Sequence, residues 1–282
     1  MTQPPAPILK IGGLSKRFGT GPKSVLAVDD VSFEVRTGET VGLVGESGSG
    51  KSTTGYCALQ LVTPTAGSVL LEGQELVGMS PRRLRLVRKD MQMVFQDPYD
   101  SLDPRMSVAD SVAEPFVIHS RMRRGKITSR VNELLELVGI SPDEGDRRPS
   151  SFSGGQRQRV SIARALALDP KLIICDEAVS ALDVSIQAQI INLLRDLQVE
   201  LGLSYLFISH DLAVIRAVGD FVVVMQHGKV VETGTAHEIF ETPRNEYTRK
   251  LLDAVPITDP RYRTHPATPA ADQTHDESEV NA

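Results

Sequence analysis

Tryptophan is absent from the 282 residues, aromatics of any kind are sparse, and only two cysteines occur, Cys57 and Cys175. Two thiols far apart in the chain, each in an apolar setting, supply neither a metal-ligand pair nor a disulfide framework. A reducing cytoplasm suits them. Long apolar runs are missing too. The most apolar stretches, Phe221–Met225 and Leu172–Cys175, are strand length, whereas a membrane-crossing helix needs about 18 residues. The opening Met1–Pro7 is Pro-rich and has no charged segment leading into an apolar one, so no signal peptide is expected. Nor is there an excess of basic charge: 36 acidic residues outnumber 31 basic ones, which gives no general pull toward nucleic acid. If the chain serves a membrane process, other chains must cross the bilayer.

What is present alternates between strand and helix patterns. Ile8–Gly12 and Val31–Val35 read as short strands, and Thr40–Val44 is an apolar strand running straight into a Gly-rich loop. A helix to about Leu61 is predicted next, then a strand and turn over Gly67–Gly73, then a strand over Met91–Phe95. From Asp97 the chain turns polar, turn-rich and then helical, with Val131–Val138 amphipathic. This stretch, about 97–165, reads as an inserted helical lobe. Strand-helix alternation then resumes with Leu172–Cys175, a helix over Ser185–Leu201, strands over Ser204–Ser209 and Phe221–Gln226, and a hairpin at His227-Gly228-Lys229 leading to Val230–Gly234. The pattern predicts an α/β fold with a mainly parallel sheet core and a small antiparallel β part beside it. Apolar periodicity stops near Pro256, so one folded domain over 8–256 and a disordered tail over 257–282 are expected. Two basic clusters, Arg82, Arg83, Arg85, Arg88 and Lys89, then Arg121, Arg123, Arg124 and Lys126, read as solvated surface, with lipid headgroups or acidic partner loops as the alternative.

Gly45, Glu46, Ser47, Gly48, Ser49, Gly50, Lys51 and Ser52 fit G-x-x-x-x-G-K-[ST] between a strand and a helix. Glycines in such a loop let backbone N–H groups turn inward around phosphate oxygens, and the adjoining helix adds its positive end. Lys51 is expected to reach the β- and γ-phosphates, and the Ser52 hydroxyl to ligate Mg²⁺. Downstream, Leu172-Ile-Ile-Cys-Asp176-Glu177 is a buried-type strand ending in two acids, which places them at the carboxyl edge of the sheet. Asp176 suits the Mg²⁺ shell and Glu177 a base that orients or deprotonates an attacking water. The plainer alternative is that both acids cap the next helix. Ser153, Gly154, Gly155 and Gln156 precede a helix and make a second anion-binding start. One nucleotide does not need two such sites in one chain, so this one is expected to serve the nucleotide of a partner chain.

Phe152-Ser153-Gly154-Gly155-Gln156 resembles the ABC signature motif, and the remaining motifs of that family come in order. The resemblance covers about Ile8 to Pro256 and implies a P-loop NTPase cassette that binds ATP, with Thr53 among the nucleotide contacts. It further implies that Gln96 lies near Mg²⁺, that Ser180-Ala181-Leu182-Asp183 is the D-loop, that His210 is the switch histidine at the γ-phosphate, and that Phe18 stacks on adenine. The segments Gln96–Met106, Ser180–Gln189 and Tyr247–Pro256 resemble the oligopeptide/dipeptide permease branch. Ala178 stands where many members have Pro, Asn245-Glu246 replaces a frequent His-Pro, and Phe152 replaces the commoner Leu, as is usual in this branch. Some members carry a C-terminal cysteine cluster for iron and sulfur; no cysteine follows Cys175.

The function so implied is an ATPase driving import of peptides or another small solute such as nickel or glutathione. Its partners would be two transmembrane permease subunits, a second ATPase subunit identical or homologous to this one, and, indirectly, an extracytoplasmic solute-binding protein. It would work at the cytoplasmic face of the membrane. Two other classes compete: a soluble ABC ATPase acting on ribosomes or DNA, and a regulatory module without catalysis. One motif set, no heptad run and no Cys/His pairs weigh against the first. Intact Lys51, Asp176, Glu177 and His210 weigh against the second.

Overall fold

The computed structural model describes residues 6–97, 101–120 and 122–254. The expectation for the tail, together with Pro98, Tyr99, Asp100 and Arg121, lies outside the described residues. Two sheets organise the rest. The first is antiparallel, with β1 (Pro7–Phe18), β2 (Val25–Arg36), β4 (Ala66–Leu71) and β5 (Gln74–Glu75) in the order β2-β1-β4-β5. Its first two strands are longer than the sequence pattern indicates. Register shifts between Ile11 and Leu14, and again to Lys16, break the alternation that would have marked the extension. The second sheet holds β3 (Thr40–Val44), β6 (Met91–Val94), β7 (Leu172–Asp176), β8 (Ser204–Ser209), β9 (Phe221–Gln226) and β10 (Lys229–Thr235), in the order β10-β9-β3-β8-β7-β6. All its pairings are parallel except the β9–β10 hairpin. That hairpin turns on His227 and Gly228, both at positive φ (49° and 83°), as a two-residue turn between twisted strands requires.

Every residue of β3, β7 and β8 is buried. Parallel strands with both faces covered give such unbroken apolar runs. Alternation then divides them between two cores. Val44, Ile173, Cys175, Tyr205 and Phe207 face one core. Val41, Leu43, Leu172, Ile174, Leu206 and Ile208 face the other. The second core is closed by the antiparallel sheet and by α1 (Lys51–Ala58). This helix ends three residues before the predicted Leu61.

Between neighbouring strands β6 and β7 the chain makes the helical excursion. It holds α3 (Val108–His119), α4 (Arg124–Leu137) and α5 (Gly154–Leu166). Val112, Phe116, Val131, Leu134 and Leu135 join it to the first core. Ahead of β6, α2 (Pro81–Val87) begins the first basic cluster; Arg82 and Arg83 are exposed, as a solvated surface requires, and the expectation is corrected for the half-buried Arg88 and Lys89 that follow the helix. Arg88 donates to the carbonyls of Leu59 and Gln60 (3.0 and 2.6 Å), Arg85 to that of Ile118 (3.0 Å) and Lys89 to that of His119 (3.0 Å). These cations tie the ends of α1 and α3 together rather than face open solvent, because helix C-termini present unpaired carbonyls that cations satisfy. Arg123, Arg124 and Lys126 are exposed.

After β8 comes α7 (Leu212–Val218), and after β10 come α8 (Ala236–Glu241) and α9 (Glu246–Asp253); α6 (Val184–Leu201) links β7 to β8. Glu232 on β10 anchors the approach to α9. Its carboxylate accepts the N–H groups of Arg244 (2.7 Å) and Asn245 (3.2 Å). Burial opposes its ionisation. The two amide hydrogen bonds and the positive charge of Arg244 outweigh that and hold Glu232 below the usual carboxylate range. A carboxylate with a depressed pKa contributes stability that is full above the ordinary Glu value of about 4.3 and disappears as pH falls through the lower folded value. Glu232→Ala should therefore cost about 1–2 kcal/mol at neutral pH and lower the melting temperature by roughly 2–6 °C. The difference from the parent should vanish on acidification below the folded-state pKa. Thermal melts from pH 7 down to the acid limit check both statements.

Candidate functional site

Strands β3, β7 and β8 are parallel neighbours, so their carboxyl ends share one edge: Val44 pairs with Ser209 and Asp176 with Ile208. The residues just past each strand therefore meet in space. The loop Gly45–Gly50 comes after β3, Glu177 after β7 and His210 after β8. Gln96 leaves the same edge two residues after Val94, whose partner is Cys175. A ligand crevice outside the carboxyl ends of an open parallel sheet is the general expectation for this topology.

The loop's shape is enforced by two glycines. At Gly45 (φ 149°) a Cβ would stand 2.1 Å from the carbonyl oxygen of Met225, and at Gly50 (φ 101°) one would stand 2.3 Å from that of Ala27. No other residue fits either place. Lys51 opens α1 and turns back into the loop. Its ammonium donates to the carbonyls of Gly45 (2.7 Å) and Glu46 (2.8 Å) and approaches Ser49 Oγ at 3.5 Å. It is only 4% exposed. Burial holds its pKa below the usual lysine range, opposed by Glu177, Asp176 and Glu46.

Ser52 Oγ donates to Asp176 Oδ1 at 2.8 Å. Burial raises the Asp176 pKa, moderated by the hydrogen bond from Ser52. Two hard oxygen donors side by side fit a Mg²⁺ ion that takes its remaining ligands from water and phosphate. Among the described residues no group of three or more His, Cys, Asp or Glu is placed to hold a metal ion. Thr53, next on α1, is half-buried.

Glu177 has φ 48°, a left-handed conformation that costs a non-glycine residue on the order of 1–3 kcal/mol. Its N–H donates to the carbonyl of Ile208 (2.8 Å), and its own carbonyl accepts from Ser180 N–H (3.0 Å) and Ser180 Oγ (2.9 Å). These bonds set the side chain across the sheet edge, where Oε1 lies 3.1 Å from His210 Nδ1. Neither acid caps the next helix. That helix, α6, begins seven residues beyond Glu177, after Asp183. Gly45, Glu46, Ser47, Glu177, His210 and Leu251 line a cavity of about 370 Å³.

Several expected site residues are not drawn into this cavity. Phe18 closes β1 with its ring 44% exposed and the Lys16 ammonium 5.0 Å from the ring centre. Gln96 and Asp183 are exposed. Ser153 is exposed at the start of α5, where it forms a capping box: Gln156 N–H donates to Ser153 Oγ (3.3 Å) and Ser153 N–H to Gln156 Oε1 (3.0 Å). The box uses neither the Gly154 nor the Gly155 N–H. Gly155 is fixed by close packing, since a Cβ there would come within 2.5 Å of Ile186 Cγ2 on α6.

Three residues near the site went unassigned from the sequence. Tyr56 lies one helical turn beyond Ser52; burial and then the nearby Asp176 push its phenol up to about 12. The i, i+4 spacing was the available signal. Tyr247 and Leu251, about 200 positions from the loop, gave none.

The family description "ABC transporter" matches residues 28–180, and "Oligopeptide/dipeptide transporter, C-terminal region" matches residues 231–280. "Glutathione import ATP-binding protein GsiA" from Escherichia coli O1:K1 / APEC is 51% identical over 261 residues, covering 90% of this chain and 42% of that protein. Its namesake from Pectobacterium atrosepticum is 51% identical over 264 residues, covering 91% and 42%. The chain thus spans about two fifths of the curated relatives it matches. Among solved structures, a dimeric post-hydrolysis state of the ATP-binding cassette MJ0796 bound to ADP and Pi superposes with TM-score 0.74 at 30% identity, covering 81% of this chain and 98% of that one. The cassette cbiO1 from Clostridium perfringens, part of the ABC transporter complex cbiONQ, gives TM-score 0.75 at 29% identity, covering 89% and 96%.

Ser52→Ala should cost about 1 kcal/mol of folding stability, since Asp176 loses the 2.8 Å hydrogen bond from Ser52 Oγ. Denaturant melts of a double-mutant cycle with Asp176→Asn should return a coupling of roughly 0.5–1 kcal/mol; additive effects would show that the hydroxyl and the acid do not interact.

Proposed function

The chain belongs to the ABC transporter family, and from that premise we propose that it is an ATP-binding and ATP-hydrolysing subunit energising import of a peptide or similar small solute through separate membrane subunits. The observation that carries the proposal is the meeting of Lys51, Ser52, Asp176, Glu177 and His210 at one sheet edge, with Ser153–Gln156 outside the cavity that Glu177 and His210 line there.

In this reading the N–H groups of Gly48–Thr53 hold the phosphates, with Lys51 turning from the Gly45 and Glu46 carbonyls toward them. Ser52 and Asp176 would hold Mg²⁺, which would supply charge neutralisation on the phosphate oxygens. Glu177 orients a water and accepts its proton. His210, 3.1 Å from Glu177, keeps that carboxylate in line and contacts the terminal phosphate. Phe18 stacks on adenine, and Gln96 reaches the metal from the start of the helical lobe.

The free N–H groups of Gly154 and Gly155 fit an anion presented by a second cassette, with Asp183 beside them across the joint. A head-to-tail pair of cassettes would then bury two ATPs. Two transmembrane permease subunits are proposed as the machinery it drives, with an extracytoplasmic solute-binding protein delivering cargo, and the chain at the cytoplasmic face of the membrane. No helix among the described residues is long and apolar enough to cross a membrane. The C-terminal family match and the glutathione-import relatives support a peptide-like cargo.

Lys51→Ala should weaken ATP binding at least tenfold, because charge-assisted hydrogen bonds of about 1.5–3 kcal/mol each are lost. Near-normal affinity in a folded variant, measured by calorimetry, would refute the phosphate-loop assignment.

Glu177→Gln should slow hydrolysis by about 10²–10⁴ while leaving ATP binding intact or tighter. Bound ATP then persists, and a dimer should accumulate by mass action with Mg-ATP but not Mg-ADP. Adding Ser153→Arg should prevent it. Light scattering, with a homologous cassette included if one is its partner, reads the outcome; dimerisation that survives Ser153→Arg would contradict closure of the site in trans.

A further inference from the structure

The proposed ATPase site has a wall that its motifs do not supply. Tyr247 opens the first turn of α9, and its phenol oxygen accepts the Glu46 N–H at 3.0 Å, a contact between residues 201 positions apart. Glu46 is the second residue of the phosphate loop. Its peptide groups are therefore held on two sides, the N–H by Tyr247 and the carbonyl by Lys51 at 2.8 Å. The preceding residue is Gly45, which has little conformational preference of its own. An outside contact can thus decide where the loop begins.

Tyr247 is itself fixed. Its N–H donates to Asn245 Oδ1 (2.8 Å), Asn245 Nδ2 reaches the Val231 carbonyl (3.3 Å), and Glu232 takes the Arg244 and Asn245 amides. Tyr247, Leu251 and Leu252 pack against the first core. Leu251, one turn after Tyr247 on the same helical face, lines the cavity opposite Glu177 and His210. The path β10, Glu232, Asn245, Tyr247, Glu46 is a continuous strut made of hydrogen bonds.

We propose that α9 is a structural wall of the nucleotide site and that Tyr247 is a positioning residue for the phosphate loop, acting through the Glu46 amide. The segment leading into the C-terminal region is thereby tied to the site at which ATP binds. This rests on the ATPase reading for its kinetic arm only; the contact itself is testable without nucleotide.

The test uses the full chain, with its permease partners where they are required for turnover. Tyr247→Phe removes one oxygen and keeps the ring. It should raise KM for ATP about two- to tenfold, the span of a single net hydrogen bond, with kcat changing less than about twofold. Amide exchange at Glu46–Gly48, followed by mass spectrometry in the nucleotide-free protein, should accelerate, with the melting temperature lowered by no more than about 4 °C. Arg249→Ala, on the exposed face of α9, should leave all three readouts unchanged.

A folded Tyr247→Phe protein with parental KM and parental exchange overturns the proposal. If that variant does not fold, exchange in the parent decides: Mg-ATP should slow α9 together with the loop, and protection confined to the loop overturns it. A parent that binds no nucleotide sinks the ATPase reading instead, while the nucleotide-free exchange arm still judges Tyr247.

Discussion

Complete burial of β3, β7 and β8 is the constraint that creates the site. Strands with no solvent on either face must satisfy their backbone groups through neighbours, which forces them into the interior of one parallel sheet. Parallel neighbours end at a common edge, and the residues that follow each strand meet there. Lys51, Asp176, Glu177 and His210 come from three separate stretches of sequence, yet the sheet leaves them one place to go. The pleat also sends Val41 and Leu43 one way and Val44 the other, so two different layers are coupled to the same strands. Movement at the sheet edge is therefore felt by both the antiparallel sheet and the helical excursion.

That edge carries charges whose burial is unfavourable for each alone. Lys51 is pushed toward neutrality by burial and drawn back by Glu177, Asp176 and Glu46; Asp176 is pushed toward neutrality and held by the hydrogen bond of Ser52, with Lys51 contributing. Removing either partner leaves an uncompensated buried charge, which is far more costly than the pair. The backbone stores strain in the same place, at Glu177. Preorganised, partly desolvated groups of this kind act strongly on a charged ligand because little solvent screens them and little reorganisation remains to be done.

The peripheral contacts show how the excursions are held to this frame. Arg85, Arg88 and Lys89 spend their charge on carbonyls at the ends of α1 and α3, so the helix carrying the phosphate loop and the helical lobe share a common clamp. On the opposite side, Glu232 and Asn245 hold α9 against β10, and Tyr247 carries that attachment to Glu46. The two ends of the phosphate-loop region are thus braced by segments far from it in sequence.

The sequence by itself determined the strand-helix order, the fold class, the glycine-rich loop after β3, the acids at the tip of β7 and the family, because each rests on local pattern: an apolar run of strand length, glycines at fixed offsets, acids at a strand tip. It also marked Ser153–Gln156 as a helix start, and the capping box there is a local device as well. Its errors were local patterns broken by tertiary demands. Register shifts concealed the full length of β1, and carbonyls contributed by other helices turned an apparently solvated basic cluster into a clamp. What only the tertiary structure decided was proximity without periodicity: Glu177 beside His210, and above all Tyr247 on Glu46. A hydrogen bond between residues 201 positions apart leaves no trace in either neighbourhood. Its two groups meet only because the sheet order carries β9 back beside β3, with β10 next to β9, bringing the last described helix to the loop that follows the third strand.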